Sequence, residues 1–205
     1  MMTKMTKEQR DALIATTKAD LTARIAQRRE RDAQLAEGAR KRSDKYLAFF
    51  GGERFATMVV DYSLNLDDIF SRCDKTLDRF RAVCDHLLRG DLTLRDERDQ
   101  SRYTFDLARS VVGAHKVQAH LTKSDVLATA TKRENANEYV TVSRRVMSDT
   151  TAERQSGIAT YTLELLGVVK RTRNESGSVV MTCDTKAPAF KRFTNLIAAQ
   201  TTATA

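Results

Sequence analysis

"LELLGVVKRTRNESGSVVMTCD", residues 163–184, is the stretch on which the reading of this chain turns. Leu163, Leu165 and Leu166 end an apolar helix, and Gly167 stops it. "VVKRTR" and "SVVMTC" then read as two short strands. Between them stands "NESG", whose Asn and Gly tolerate the positive φ that a tight turn asks for. The first arm carries Lys170, Arg171 and Arg173, with no acid before Glu175. Cations placed so can guard an exposed sheet edge or neutralise phosphates.

Upstream, residues 121–162 are rich in Ser, Thr and Asn and hold repeated helix-start signals. Thr122 or Ser124 starts a helix through Lys132. Asn135 with Glu138 starts another over 137–147, although "YVTVS" also passes as a strand. Thr150 with Glu153 has the capping-box spacing and opens a third, running to Leu166. Gly157 costs that helix roughly 1 kcal/mol relative to Ala. Its buried side takes Ile158, Tyr161 or Thr162, Leu165 and Leu166.

Three short helices followed by a hairpin is the order of a winged helix-turn-helix domain. The stretch "TAERQSGIATYTLELLGVVKRTRNESGSVVMT" resembles the recognition-helix-and-wing segment of such proteins, the MarR-type regulators among them. The matching residues are Leu163, Leu166, Gly167, Val168, Val169, Lys170 and Arg171, with a tip at Asn174 to Gly177. The resemblance spans about residues 121–186. The distance from Ser148 to Gly167 exceeds the usual spacing by about one helical turn, and the Asp-x-Arg pair common at MarR wing tips is missing. The resemblance is therefore to the wider winged-helix class. It implies that Arg154, Gln155, Ser156, Thr160 and Tyr161 face base edges. Lys170, Arg171, Arg173 and Asn174 would form the wing on the backbone. Arg144 and Arg145 before the helix, with Lys186, Lys191 and Arg192 after the wing, extend the same basic face.

The N-terminal half reads as helical scaffolding. Thr6 with Gln9 can box the start of a helix near residue 7. Its apolar positions Ile14, Leu21, Ile25 and Leu35 are sparse, and "QRRERD" interrupts any heptad seam, which predicts a long solvated arm. Arg28, Arg29, Arg31, Arg40, Lys41, Arg42 and Lys45 make that arm basic, either as a soluble face or as phosphate contacts. "RFATMVVDY" at 54–62 is ambiguous between helix and strand. Leu66, Ile69, Phe70, Cys73, Leu77, Phe80, Val83, Cys84, Leu87 and Leu88 then step by three and four, predicting one continuous buried stripe from Asn65 to Gly90. Arg81, Asp85 and Arg89 lace its outer face at i,i+4 spacing. A second helix runs from the low nineties, or from about residue 100, to Val112, with Gly113 closing it.

The expected fold is mainly α. A basic helical arm (1–50) and a helical core or assembly domain (51–118) precede a winged-helix-like unit with one β-hairpin (119–195) and a disordered tail (196–205). Composition agrees: the 205 residues include one proline and no tryptophan, and net charge is +8. Residues 51–100 carry 8 basic and 11 acidic side chains, so the positive excess lies at both ends. That balance points to a polyanionic partner.

Three cysteines without CxxC or paired His spacing read as buried thiols. His86, His115 and His120 lack any carboxylate that spacing can assign. No glycine-rich phosphate loop or metal-ligand spacing is present, so the chain reads as a non-enzyme without cofactor. No run is long or apolar enough for a membrane, which places the protein in the cytoplasm.

The leading expectation is a DNA-binding protein, a transcription or replication accessory factor of a bacterium or phage, acting as a homo-oligomer. One alternative is a sequence-independent single-strand binder that stacks bases on Tyr103, Tyr139, Tyr161 and Phe190. The other is a structural or assembly protein with a basic arm.

Overall fold

The structure, a computed structural model, describes residues 5–33, 37–94, 99, 101–131, 136–143 and 146–204. It is mainly helical with one small antiparallel sheet. The chain divides into two compact units, Met1–Ser71 and Arg72–Ala205.

The first unit contains α1 (Lys7–Ala33), α2 (Glu37–Phe50), α3 (Glu53–Tyr62) and α4 (Leu66–Phe70). The Thr6–Gln9 box forms in both directions: Thr6 N–H donates to Gln9 Oε1 at 2.9 Å, and Gln9 N–H donates to Thr6 Oγ1 at 3.2 Å. α1 is not the solvated arm expected. Ile14, Leu21 and Ile25 make a thin seam on one side, and Leu21 and Ile25 are wholly buried where α1 packs on α2 and α3. A thin seam suffices because its partners are large. Phe50 lies 5.6 Å from Tyr46, 4.9 Å from Phe55 and 5.8 Å from Phe70, ring centre to ring centre. These aromatics bury the area that α1 lacks. Residues 54–62 are helical, so the ambiguity there resolves to α3.

The stripe from Asn65 to Gly90 is broken. Asn65 caps α4 by accepting from Asp67 N–H at 2.9 Å and Asp68 N–H at 3.3 Å. The helix stops after Phe70, and a fresh one, α5 (Asp74–Arg89), begins with Cys73 as its N-cap. Leu77, Phe80, Val83, Cys84 and Leu87 are buried, and Gly90 at φ 80° ends the helix as expected. The all-buried reading of the thiols needs correction: Cys84 is buried, Cys183 half-buried and Cys73 exposed. Hydrogen bonds from Thr76 hold the Cys73 thiol below its ordinary pKa, whereas burial pushes Cys84 up.

α5 is followed by α6 (Arg102–Lys116), β1 (Leu121–Thr122), α7 (Lys123–Ala130), α8 (Asp149–Leu165), β2 (Val169–Arg173), β3 (Val179–Cys183) and α9 (Pro188–Thr204). α6 runs straight through Gly113. That glycine is needed for close approach, since a Cβ there would sit 2.8 Å from the Tyr139 carbonyl oxygen.

The helix expected over 137–147 does not form among the described residues. Its donors bond sideways instead. Thr141 N–H donates to Ser110 Oγ at 2.8 Å, Ser143 N–H to Thr129 O at 2.7 Å, and Met147 N–H to Ala130 O at 2.9 Å. The tail expected to be disordered is the second half of α9. Phe190, Phe193 and Leu196 are buried, and α9 packs against α6.

The sheet order is β1-β3-β2, with Leu121 opposite Met181 and Val169 opposite Cys183. β1 thus ties the hairpin back to the start of α7. β2, the cation-bearing strand, is an edge. No helix among the described residues is long and apolar enough to cross a membrane.

Candidate nucleic-acid interface

α8 packs on α5, α6 and α7 together, and this decides which of its side chains can meet a ligand. Ser148 is the N-cap, ahead of the expected Thr150–Glu153 box. Of the five residues expected to face base edges, Gln155 turns inward, whereas Ser156 and Thr160, though buried, line the same groove as Tyr161. Ser156 is buried and its Oγ donates to Glu153 O at 2.8 Å; Thr160 is buried; and Gln155 Oε1 accepts from Arg79 Nη2 at 2.5 Å. The cause is Arg79 itself. Burial lowers its pKa to about 10, with Asp99 and Tyr103 opposing, and a buried guanidinium must find acceptors. The side of α8 that remains open carries Thr150, Glu153 and Arg154, then half-buried Gly157 and Tyr161.

The hairpin forms as read. Gly167 has φ 70° and Gly177 φ 78°. Its cations are engaged, however. Lys170 Nζ lies 2.9 Å from Asp184 Oδ2, which holds the Asp184 carboxyl below its usual range. Arg171 grips the Glu164 carboxylate through both Nε and Nη2, and this bond raises its pKa. The Arg171 guanidinium also sits 4.7 Å from the centre of the Tyr161 ring, as does that of Arg72. Arg173 Nη1 donates to Gly177 O at 2.7 Å across the tip. Asn174 is a turn-former: its Oδ1 accepts from Ser178 N–H at 2.8 Å and Ser176 Oγ at 2.7 Å.

Both ion pairs are at the surface, Lys170 being 67% and Arg171 44% exposed in the side chain. Such pairs contribute about 0–1 kcal/mol, so a phosphate can displace the carboxylate.

Of the flanking cations, Arg154, Lys186 and Lys191 are exposed. Arg192 is turned into the unit, where Nη2 donates to Leu87 O at 3.5 Å on the last turn of α5. Arg144 and Arg145 lie outside the described residues. Of the base-stacking set, Tyr139 and Tyr161 are half-buried and the other two are buried. Tyr103 is buried, its hydroxyl donating to Val126 O at 2.6 Å, and Phe190 is buried against His115. Tyr161 is already faced by two guanidiniums.

Between α7, α8 and the hairpin runs an open groove of about 280 Å3. Leu121, Val126 and Met181 form an apolar floor, and Lys123, Glu153, Tyr161 and Arg171 stand around it. Gly157 lies on this groove with nothing within 4 Å of where its Cβ would be. A polar cluster that sequence spacing could not reveal is buried. His86, 2% exposed, accepts from Arg89 Nη2 at 2.7 Å through Nδ1, so its Nε2 carries the proton toward Asp99 Oδ2 at 3.0 Å. Asp99 stands thirteen positions after His86, too far for any local signal. Its burial makes it a structural pair. Among the described residues no group of His, Cys, Asp and Glu has the makings of a metal site.

The chain matches no family model, and no curated protein or solved structure is detectably similar to it.

Proposed function

We propose that the second unit binds nucleic acid, duplex DNA first, through the outer side of α8 and the β2–β3 hairpin. The observation that carries this reading is their convergence. Glu153, Gly157 and Tyr161 of α8 line one groove with Arg171 and Val179 of the hairpin and with Lys123 at the start of α7. Two helices, α7 and α8, precede the hairpin, where the resemblance implies three. Exposed Arg154, Lys170, Arg173, Lys186 and Lys191 supply phosphate contacts. Base contacts, if sequence is read, fall to Thr150, Arg154 and Tyr161, with Ser156 and Thr160 in the groove wall and Gln155 held by Arg79.

A second reading, an assembly protein, is favoured by one feature. The groove floor is apolar, and Val179 at its side is 48% exposed. One experiment separates the two. The chain is mixed with a random duplex library and with single strands of equal length, at two salt concentrations. Binding that weakens with salt supports nucleic acid, and enrichment of particular duplexes supports sequence reading. No binding even at low salt contradicts the proposal and leaves the assembly reading.

A further inference from the structure

We infer that the first unit carries an anion site of its own, shaped for a phosphate group of a nucleotide or nucleic acid and independent of the hairpin face. α1 places Arg24, Arg28 and Arg31 at i, i+4 and i+7, on one side of the helix. With Gln27 of α1 and Phe70 of α4 they line a cavity of about 350 Å3. Among the described residues its lining is three guanidiniums, one amide and one aromatic ring, with no carboxylate.

The acids that balance these arginines stand outside that lining. Arg24 reaches Asp20 at 2.9 Å and Asp67 at 2.7 Å, while Asp32 lies 3.6 Å from Arg28 and 3.7 Å from Arg31. The Asp20 and Asp67 bonds engage Nε and Nη1 of Arg24, so Nη2 keeps its donors. Arg28 is steadied over the Tyr46 ring at 5.3 Å. The Arg31 side chain is 70% exposed, which opens the cavity to solvent.

A cation in the last turn of a helix is ordinarily explained by the helix dipole. That accounts for Arg31. It does not account for three guanidiniums lining one cavity beside Phe70, where Asp20, Asp67 and Asp32 each meet an arginine from outside the lining. An oxyanion with several acceptors can add to those pairs through Arg24 Nη2 and the exposed Arg31, and the planar guanidinium fork matches phosphate geometry. Phe70, half-buried beside Phe50, adds a ring edge or face for a base attached to the phosphate.

The test uses the full chain and calorimetric titration with pyrophosphate, with adenosine monophosphate and with a 5′-phosphorylated ten-nucleotide strand. Saturable binding of pyrophosphate is expected. Gln27→Glu puts a carboxylate into the lining, and Arg31→Ala removes the exposed wall; each should weaken binding about tenfold or more, given the strength of close charge pairs. Arg31→Lys, which keeps charge but not the fork, should fall between. Lys170→Ala/Arg173→Ala removes hairpin cations that can also hold a phosphate, so the loss caused by Arg31→Ala should be the same in that background as in wild type, which separates this site from the hairpin face. Stronger binding of the mononucleotide identifies a free nucleotide as the source, and stronger binding of the strand identifies nucleic acid. No saturable binding of any probe, or equal binding by wild type, Gln27→Glu and Arg31→Ala, overturns the inference.

Discussion

In the hairpin, Lys170 and Arg171 each meet a carboxylate of their own neighbourhood, Asp184 and Glu164, and stand open to solvent. In α1, Arg24, Arg28 and Arg31 also have acidic neighbours, yet they line a cavity with no carboxylate among its described lining residues. Both stretches look alike as charge runs. The difference is where the balancing acid lies: across an edge strand in one case, outside a concave wall in the other. An anion reaching the hairpin must displace an acid. One reaching the α1 cavity joins arginines that keep their acids outside the lining.

The largest expected effects come from removing the core under each region. Phe50→Ala in the first unit and Phe80→Ala in the second should each cost about 3–5 kcal/mol, the usual range for emptying a buried aromatic site. Hydrogen exchange followed by segment should show weakened protection over 7–70 in the first variant and over 74–204 in the second. Equal weakening everywhere in both variants would mean that the two regions do not belong to separate folding units.

Arg79 stands between the extremes, a buried cation with almost no surface to offer a ligand. Arg79→Ala strands Gln155 Oε1, and a buried polar group left unpaired costs about 1–3 kcal/mol. The pH dependence follows from its lowered pKa of about 10. Above that pH the folded chain gives up this proton before the unfolded chain does. The unfolded state then binds more protons, so the contribution of Arg79 to stability rises with pH. Urea unfolding at about pH 9 and about pH 11, on either side of that value, should show the rise in wild type and a smaller one in Arg79→Met. An identical pH response in both would contradict the buried-charge account.

How much of this was legible in the sequence depends on the range of the signal. The α8 stop at Gly167, both hairpin arms, the Thr6 and Asn65 caps and the α5 stripe are local, set by residues within a turn of one another. The misreadings needed partners far along the chain. α1 looked too polar to pack because Tyr46, Phe50 and Phe55, which cover its seam, lie elsewhere. The break at 71–73 hid inside an unbroken period of three and four. Residues 137–143 took their hydrogen-bond partners from α6 and α7 instead of from themselves. On the candidate site, spacing gave the exposed hairpin cations and the groove-lining Ser156, Thr160 and Tyr161, but it misplaced Gln155. Gln155 looks like a surface residue until Arg79, 76 positions away, is placed beneath it.

Smaller effects sharpen the contrast within the hairpin. Arg171→Ala removes an ion pair and the cation over the Tyr161 ring, together about 1 kcal/mol or slightly more. Lys170→Ala should cost no more than about 0.5 kcal/mol, because its pair with Asp184 is a solvent-exposed one. Thermal melts of the two variants compare them directly. Equal destabilisation would show that the Arg171 guanidinium gains nothing from the Tyr161 ring.

The most direct test of the central claim is the salt dependence of duplex binding by Lys170→Ala/Arg173→Ala, a pair of changes that leaves the Arg171–Glu164 ion pair in place. If the hairpin lies on the phosphate backbone, affinity falls by a similar factor for every sequence. The slope of log affinity against log salt becomes shallower by roughly 0.9 for each phosphate that is no longer neutralised. A slope identical to that of wild type, in a double variant with unchanged circular dichroism, would contradict the account and leave these cations as guards of the β2 edge.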